Sequence, residues 1–299
     1  MVKKLVLDVG PGIDAALALA TACSWPEVDV LGVSAVAGNI PLEAVAANAG
    51  GLLRELGSSA RVYKGASMPL HGKPPLAAGV QGAQGPGCWP MEAEPSRISS
   101  QHAAAFMAEV ARKYPHEVIL VTTGPLTNLA LALEYHPEAM KSLGGVVLTG
   151  GALKVPGDVT PAAESNIYAD PDAAELVLGS GLDLTMVGLD VQVRWAAPDV
   201  DALSSRGRAG KTMAAMACCY LEKCRQLSLR APLALLAAVR QDLFALQEVA
   251  VQVETRGRHC RGQVLGDWGG QHTWPHKIKV IMGVDARSCQ ELLMELWTR

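Results

Sequence analysis

A chain of 299 residues is long enough to bury a sizeable core without disulfide or metal staples. Hydrophobic residues make up 49% of it and charged residues 18%, a balance that excludes intrinsic disorder. With 26 Lys and Arg against 29 Asp and Glu, the net charge of -3 exerts no bulk pull on phosphate backbones or anionic lipid, so neither nucleic acid nor a membrane is an expected partner.

Short β-branched apolar runs alternate with longer helical patterns through the amino-terminal half of the chain, the rhythm of βαβ units and a mostly parallel sheet. Strands are expected over residues 4–9, 28–36, 117–122, 145–149 and 182–187. Between them the apolar spacing predicts helices over 13–23, 41–56, 101–113, 126–133 and 171–178. Residues 65–98 are rich in Gly and Pro and read as a long loop, a candidate lid. After about residue 195 the pattern turns helical (208–225, 232–239), then strand-like (249–254, 263–265, 277–282), with a final helix over 286–296. No polar linker or repeat divides the chain, so one domain over 1–299 is expected: a Rossmann-like open sheet, mostly parallel, with helices on both faces.

No run reaches the roughly 18 apolar residues that a membrane span requires. The segment Leu5-Val6-Leu7 behind Lys3 and Lys4 is too short for a signal-peptide core, and a cytoplasmic protein is expected. The seven cysteines are odd in number and lack the paired short spacings of a zinc or redox motif, so reduced thiols are expected. His272 and His276 flank Pro275 in a Gly-rich stretch, which speaks for a loop more than a metal site. Trp195, Trp268 and Trp274 could stack on a nucleobase, but large aromatics more often anchor cores or interfaces.

Several predicted strands run into Gly-, Pro- or Asp-rich turns: Asp8-Val9-Gly10-Pro11-Gly12, Gly38-Asn39, Thr123-Gly124-Pro125 and Gly150-Gly151. In an open parallel sheet ligands bind where such turns converge, at the carboxyl ends of the strands. Gly10-Pro11-Gly12 lacks the spacing of a dinucleotide or triphosphate loop. Asp8 and Asp14 place two carboxylates beside a helix start, where an acidic residue can serve merely as a cap.

The stretch Leu7-Asp8-Val9-Gly10-Pro11-Gly12-Ile13-Asp14-Ala15-Ala16 resembles the amino-terminal signature Asp-Thr-Asp-Pro-Gly-x-Asp-Asp-Ala of the inosine-uridine preferring nucleoside hydrolase family. The resemblance continues through Gly38-Asn39 with Asn48, the run from Thr123 to Leu129, Gly150-Gly151-Ala152, the run from Thr160 to Pro171, and Gly188-Leu189-Asp190-Val191. It implies hydrolysis of the N-glycosidic bond of ribonucleosides, with a calcium ion gripping the attacking water and the ribose diol. It also implies a homodimer or homotetramer. Asp14, Asn39, Glu164 and Asn166 stand at ribose-contacting positions, and Asp158 stands where the family usually has Asn.

The metal half of the resemblance fails. Gly10 replaces the Asp that is calcium ligand and base, Ala15 the bidentate ligand, and Ala231 the Asp of a His-Asp-Pro-Leu motif that here reads Arg230-Ala231-Pro232-Leu233. Only the Thr123 carbonyl remains at a ligand position. No cofactor is therefore expected, since calcium wants six to eight oxygen ligands with compensating charge. The sequence-based expectation is a ribose- or ribonucleoside-binding protein that has lost the usual hydrolase activity. Two alternatives stand beside it: an active metal-independent N-ribosyl hydrolase with Asp8 or Asp14 as base and Arg230 in place of the cation, and a structural subunit of an oligomer. Arg230 either points to solvent or faces the pocket, where it could pair with Asp14 or Asp8.

Overall fold

The βαβ rhythm is realised as one ten-stranded sheet in the computed structural model, which describes residues 2–10, 12–73, 94–204, 208–222 and 225–298. The strands are β1 (Lys3–Val9), β2 (Val28–Ala35), β3 (Val62–Lys64), β4 (Ile98–Ser99), β5 (Val118–Thr122), β6 (Gly145–Thr149), β7 (Leu184–Val187), β8 (Arg194–Trp195), β9 (Leu227–Ser228), β10 (Phe244–Val253), β11 (Val264–Asp267) and β12 (Lys277–Val284). The helices are α1 (Ile13–Ser24), α2 (Leu42–Glu55), α3 (Ala103–Lys113), α4 (Thr127–Tyr135), α5 (Pro137–Met140), α6 (Ser165–Ala169), α7 (Pro171–Leu178), α8 (Ala197–Ser204), α9 (Arg208–Leu221), α10 (Arg230–Val239) and α11 (Ala286–Trp297). The sheet order is β11-β10-β12-β7-β6-β5-β1-β2-β3-β4, and only β10 runs antiparallel to its neighbours; β8 and β9 form a separate ribbon.

Both faces of the sheet are covered, as the unbroken apolar runs of the central strands require. Leu5, Leu7 and Val9 of β1 pack with residues of α1, α2, α10 and α11, while Val6 points the other way, into a core built with α3, α4 and α7. Trp297 closes the first core, its indole N–H donating to the Thr21 hydroxyl at 2.9 Å. Asp8 shares the parity of Val6, which aims its carboxylate at α4.

From β1 the chain steps outward through β2, β3 and β4, then returns to place β5 on the other side of β1. The order therefore reverses between β1 and β5, and a crevice opens at their carboxyl ends. There the two strands' exit turns touch: a Cβ on Gly10 would lie 2.7 Å from the Gly124 Cα, and a Cβ on Gly124 equally close to the Gly10 Cα. Glycine is needed at both positions for this reason, whatever its torsion angles.

The predicted strands and helices of the sheet proper are present, with ends shifted by a few residues. The two- and three-residue strands β3, β4, β8 and β9 escape prediction because so short a run shows no period. β10 begins at Phe244 rather than 249, since its first five residues are largely exposed and show no clean apolar alternation. Of the loop expected over 65–98, residues 94–98 form a turn and the first residue of β4, while 74–93, which carry most of the candidate lid, lie outside the described residues. Among the described residues, no helix is long and apolar enough to cross a membrane.

Gly124→Ala should force β1 and β5 apart at their ends and cost about 1–3 kcal/mol. Urea unfolding of the variant beside the native chain checks this; an unchanged midpoint would show that the contact is slack.

Candidate active site

The crevice between β1 and β5 opens into a cavity of about 310 Å³. Asp14, Asn39, Thr123, Asp158, Asn166 and Arg230 all line it, so the turns after β1, β2, β5 and β6 and the start of α10 converge as the sequence predicts. Tyr168, Tyr220 and Ser228 line it as well. These were missed because a single aromatic or serine in a helix or ribbon carries no pattern. Trp195, Trp268 and Trp274 do not line it: Trp195 is buried edge-on against Trp297, Trp268 lies beneath the Lys154 ammonium, and Trp274 stacks on His272.

Glu164 ties the site together. Its Oε2 caps α6 by accepting from the backbone N–H groups of Asn166 (2.9 Å) and Ile167 (3.1 Å), and also accepts from Gly151 N–H at 3.2 Å. Its Oε1 accepts from the Ser165 hydroxyl at 3.1 Å and from Arg230 Nη1 at 3.0 Å. Arg230 therefore faces inward, its side chain 11% exposed, and its second nitrogen lies 3.6 Å from Asp158 Oδ2. Its ion partners are Glu164 and Asp158, in place of the anticipated Asp14 or Asp8. Burial works against its charge, but Glu164, Asp14 and Asp158 together hold its pKa above the ordinary value.

The carboxylates respond in the opposite sense. Burial raises the pKa of Asp14, with the nearby Arg230 charge and the Ala15 N–H, which donates to Asp14 Oδ1 at 3.0 Å, offsetting part of the rise. Burial raises Glu164 likewise, against the pull of Arg230. A lined cavity with a carboxyl group shifted toward neutrality has the makings of general acid–base chemistry.

Asn39 offers a different signal: its side-chain Oδ1 is buried and, among the described residues, has no hydrogen-bond partner. A hydroxyl-bearing ligand would satisfy it. The Asn166 amide is oriented by donating to the Thr149 carbonyl and hydroxyl, both at 3.1 Å.

Asp8, the other carboxylate considered as base, is fully buried and does not line the cavity. Its Oδ1 accepts from Asn128 Nδ2 at 2.8 Å, while Oδ2 has no partner among the described residues. Burial pushes its pKa up to about 7, with the Asn128 amide offsetting only part of the shift. Asn128 also accepts from Ala66 N–H and donates to the Ala35 carbonyl, and so joins β1, β2, α4 and the loop after β3. Asp170 does similar work, accepting from the Thr127 hydroxyl and Leu70 N–H.

The residues present do not fit calcium. Ala15 and Ala231 are buried and carry no oxygen ligand, and they sit in the first turns of α1 and α10, which pack against each other. The Gly124 Cα blocks the direction a side chain at Gly10 would take, while the Thr123 carbonyl lies 3.3 Å from that same point. Among the described residues no group of three His, Cys, Asp or Glu is placed to hold a metal ion.

An open α/β sheet with a carboxylate-lined cavity at its switch point defines a small-molecule site. The family is settled by comparison: residues 5–291 match the model of the inosine-uridine preferring nucleoside hydrolases, and the chain belongs to that family. It is 35% identical to Uridine nucleosidase 1 of Arabidopsis thaliana, over 91% of this chain and 85% of that one. It is 36% identical to the non-specific ribonucleoside hydrolase RihC of Escherichia coli (strain SMS-3-5 / SECEC), over 98% of this chain and 97% of that one. The solved purine-preferring ribonucleoside hydrolase of Gardnerella vaginalis superposes with a TM-score of 0.92 at 31% identity, covering 99% of this chain and 98% of that one.

These relatives overturn the expectation that the hydrolase activity is lost. That expectation weighed four substituted positions and took metal loss to mean loss of catalysis; chains alike over nearly their whole length are named for the activity. The substituted positions do not empty the cavity: Asp14 and Asp158 still line it, and Arg230 faces inward beside the buried Glu164.

Folded-state protonation of Asp8 has a consequence for stability. Because its folded pKa is raised from 3.8 to about 7, the native state holds the proton more tightly, and the stabilisation present below about pH 4 is lost as pH rises to about 7. Asp8→Asn, which keeps an acceptor for Asn128, should flatten the fall in melting temperature between pH 4 and pH 7. An unaltered pH profile would show that Asp8 ionises normally.

Proposed function

We propose that the chain hydrolyses the N-glycosidic bond of a ribonucleoside without a calcium ion. The observation that carries this reading is the inward-facing Arg230, bonded at 3.0 Å to Glu164 on the sugar side of the cavity. Asp14, on the wall with its pKa raised, takes the proton of the attacking water as the new bond to C1′ forms. Asn39 and Asn166 hold ribose hydroxyls. Positive charge develops on the ribose as the bond to the base breaks, and the carboxyl groups of Asp158 and Glu164 lie on the side that opposes it. Arg230 pairs with Glu164 and lies 3.6 Å from Asp158, holding both carboxylates in position, the service a bound cation would otherwise perform.

Turnover of inosine, uridine, cytidine and adenosine is therefore expected to be the same in EDTA as in calcium. Asp14→Ala should lower kcat by about 10²- to 10⁴-fold. Activity abolished by EDTA and restored by calcium would refute the metal-free site, and no turnover of any riboside would refute the hydrolase.

A further inference from the structure

The cavity's charge and aromatic content bear on which base the substrate carries. Asp14, Asp158 and a single cation, Arg230, line the cavity, and Arg230 is bonded to Glu164, which is buried behind the wall. Asp14 and Asp158 give the cavity two carboxyl groups against the already paired Arg230, and Tyr168 and Tyr220 are among its lining residues. Carboxylates and aromatic faces together recognise a flat cationic group. The site is poorly equipped for a neutral base, which needs a proton as it departs. Among the described residues no histidine lines the cavity, and Arg230 is held in its charged form by the carboxylates around it. His71 lies outside, 3.8 Å from Asp172.

Building on the hydrolase reading above, we propose that the preferred substrates are ribosides of bases that are already cationic, such as pyridinium ribosides. The step then balances without an acid. The water oxygen bonds to C1′, the C1′–N bond breaks with its electron pair returning to the ring nitrogen, the base leaves neutral, and the water's proton passes to Asp14. The carboxylates that hold the cation in the ground state also face the charge that moves onto the ribose in the transition state.

The test compares kcat/KM for nicotinamide riboside, a pyridinium riboside, with inosine and uridine. Nicotinamide riboside is expected to be preferred by about 100-fold, the minimum worth of a missing general acid. Because such ribosides are intrinsically more labile, recognition is measured separately with two uncleavable C-ribosides, a neutral benzamide and a cationic N-methylpyridinium. The cationic inhibitor should bind about tenfold more tightly, and Asp158→Asn should erase that preference. Inosine or uridine hydrolysed as well as the pyridinium riboside, or equal binding of the two C-ribosides, would overturn the proposal while leaving the hydrolase standing. No hydrolysis of any of the three would overturn both.

Discussion

Arg230 is the first residue of α10, where the helix dipole is positive and a guanidinium is disfavoured, and its side chain is almost wholly removed from water. Left unpaired there it would cost several kcal/mol, and only the bond to Glu164, with Asp158 beside it, makes the position tolerable. Glu164 is equally dependent. Its carboxylate accepts five hydrogen bonds, three from backbone N–H groups that fix the turn after β6 and the start of α6. The ion pair thus clamps α10 to the β6 side of the cavity, and Asp14, Asp158 and Asn166 are arranged around that clamp.

Two departures from the family pattern meet in it. Arg230 replaces a His and Asp158 replaces an Asn, and the two lie 3.6 Å apart. Arg230 and Asp158 add one group of each sign, while Gly10, Ala15 and Ala231 carry no carboxylate at the positions where the family pattern has one. The substitutions form one electrostatic change, with the sugar-facing side retained. This is why counting lost metal ligands misjudged the chain, and why its relatives' activity is compatible with its altered floor.

Much of this was legible in the sequence, for identifiable reasons. The central strands are long apolar runs and their exit turns carry Gly, Pro, Asp and Asn, so sheet and site edge could be placed from order, while Asp14, Asn39, Asp158 and Asn166 were placed by the resemblance to the family. What could not be read was direction. Whether Arg230 pointed in or out, and that it would choose Glu164 over Asp14, depends on the α10 axis relative to the turn after β6, a tertiary fact. Asp8 shows the same limit: one residue's parity along β1 turns it toward Asn128 and away from the cavity. Asn128 and Asp170 lie within recognised motifs, yet their work of pinning loops through backbone N–H groups has no signature in spacing.

The close approach of Gly10 to Gly124 gives the site a history that runs in one direction. With glycine at both positions the two exit turns lie in contact, and a side chain at position 10 would require them to move apart. Any return to a carboxylate at that position now meets the neighbouring backbone before it meets a metal. Reversion would have to begin with a change that reopens the strand ends and gains nothing by itself, so the guanidinium form of this site is a state that single substitutions do not readily leave.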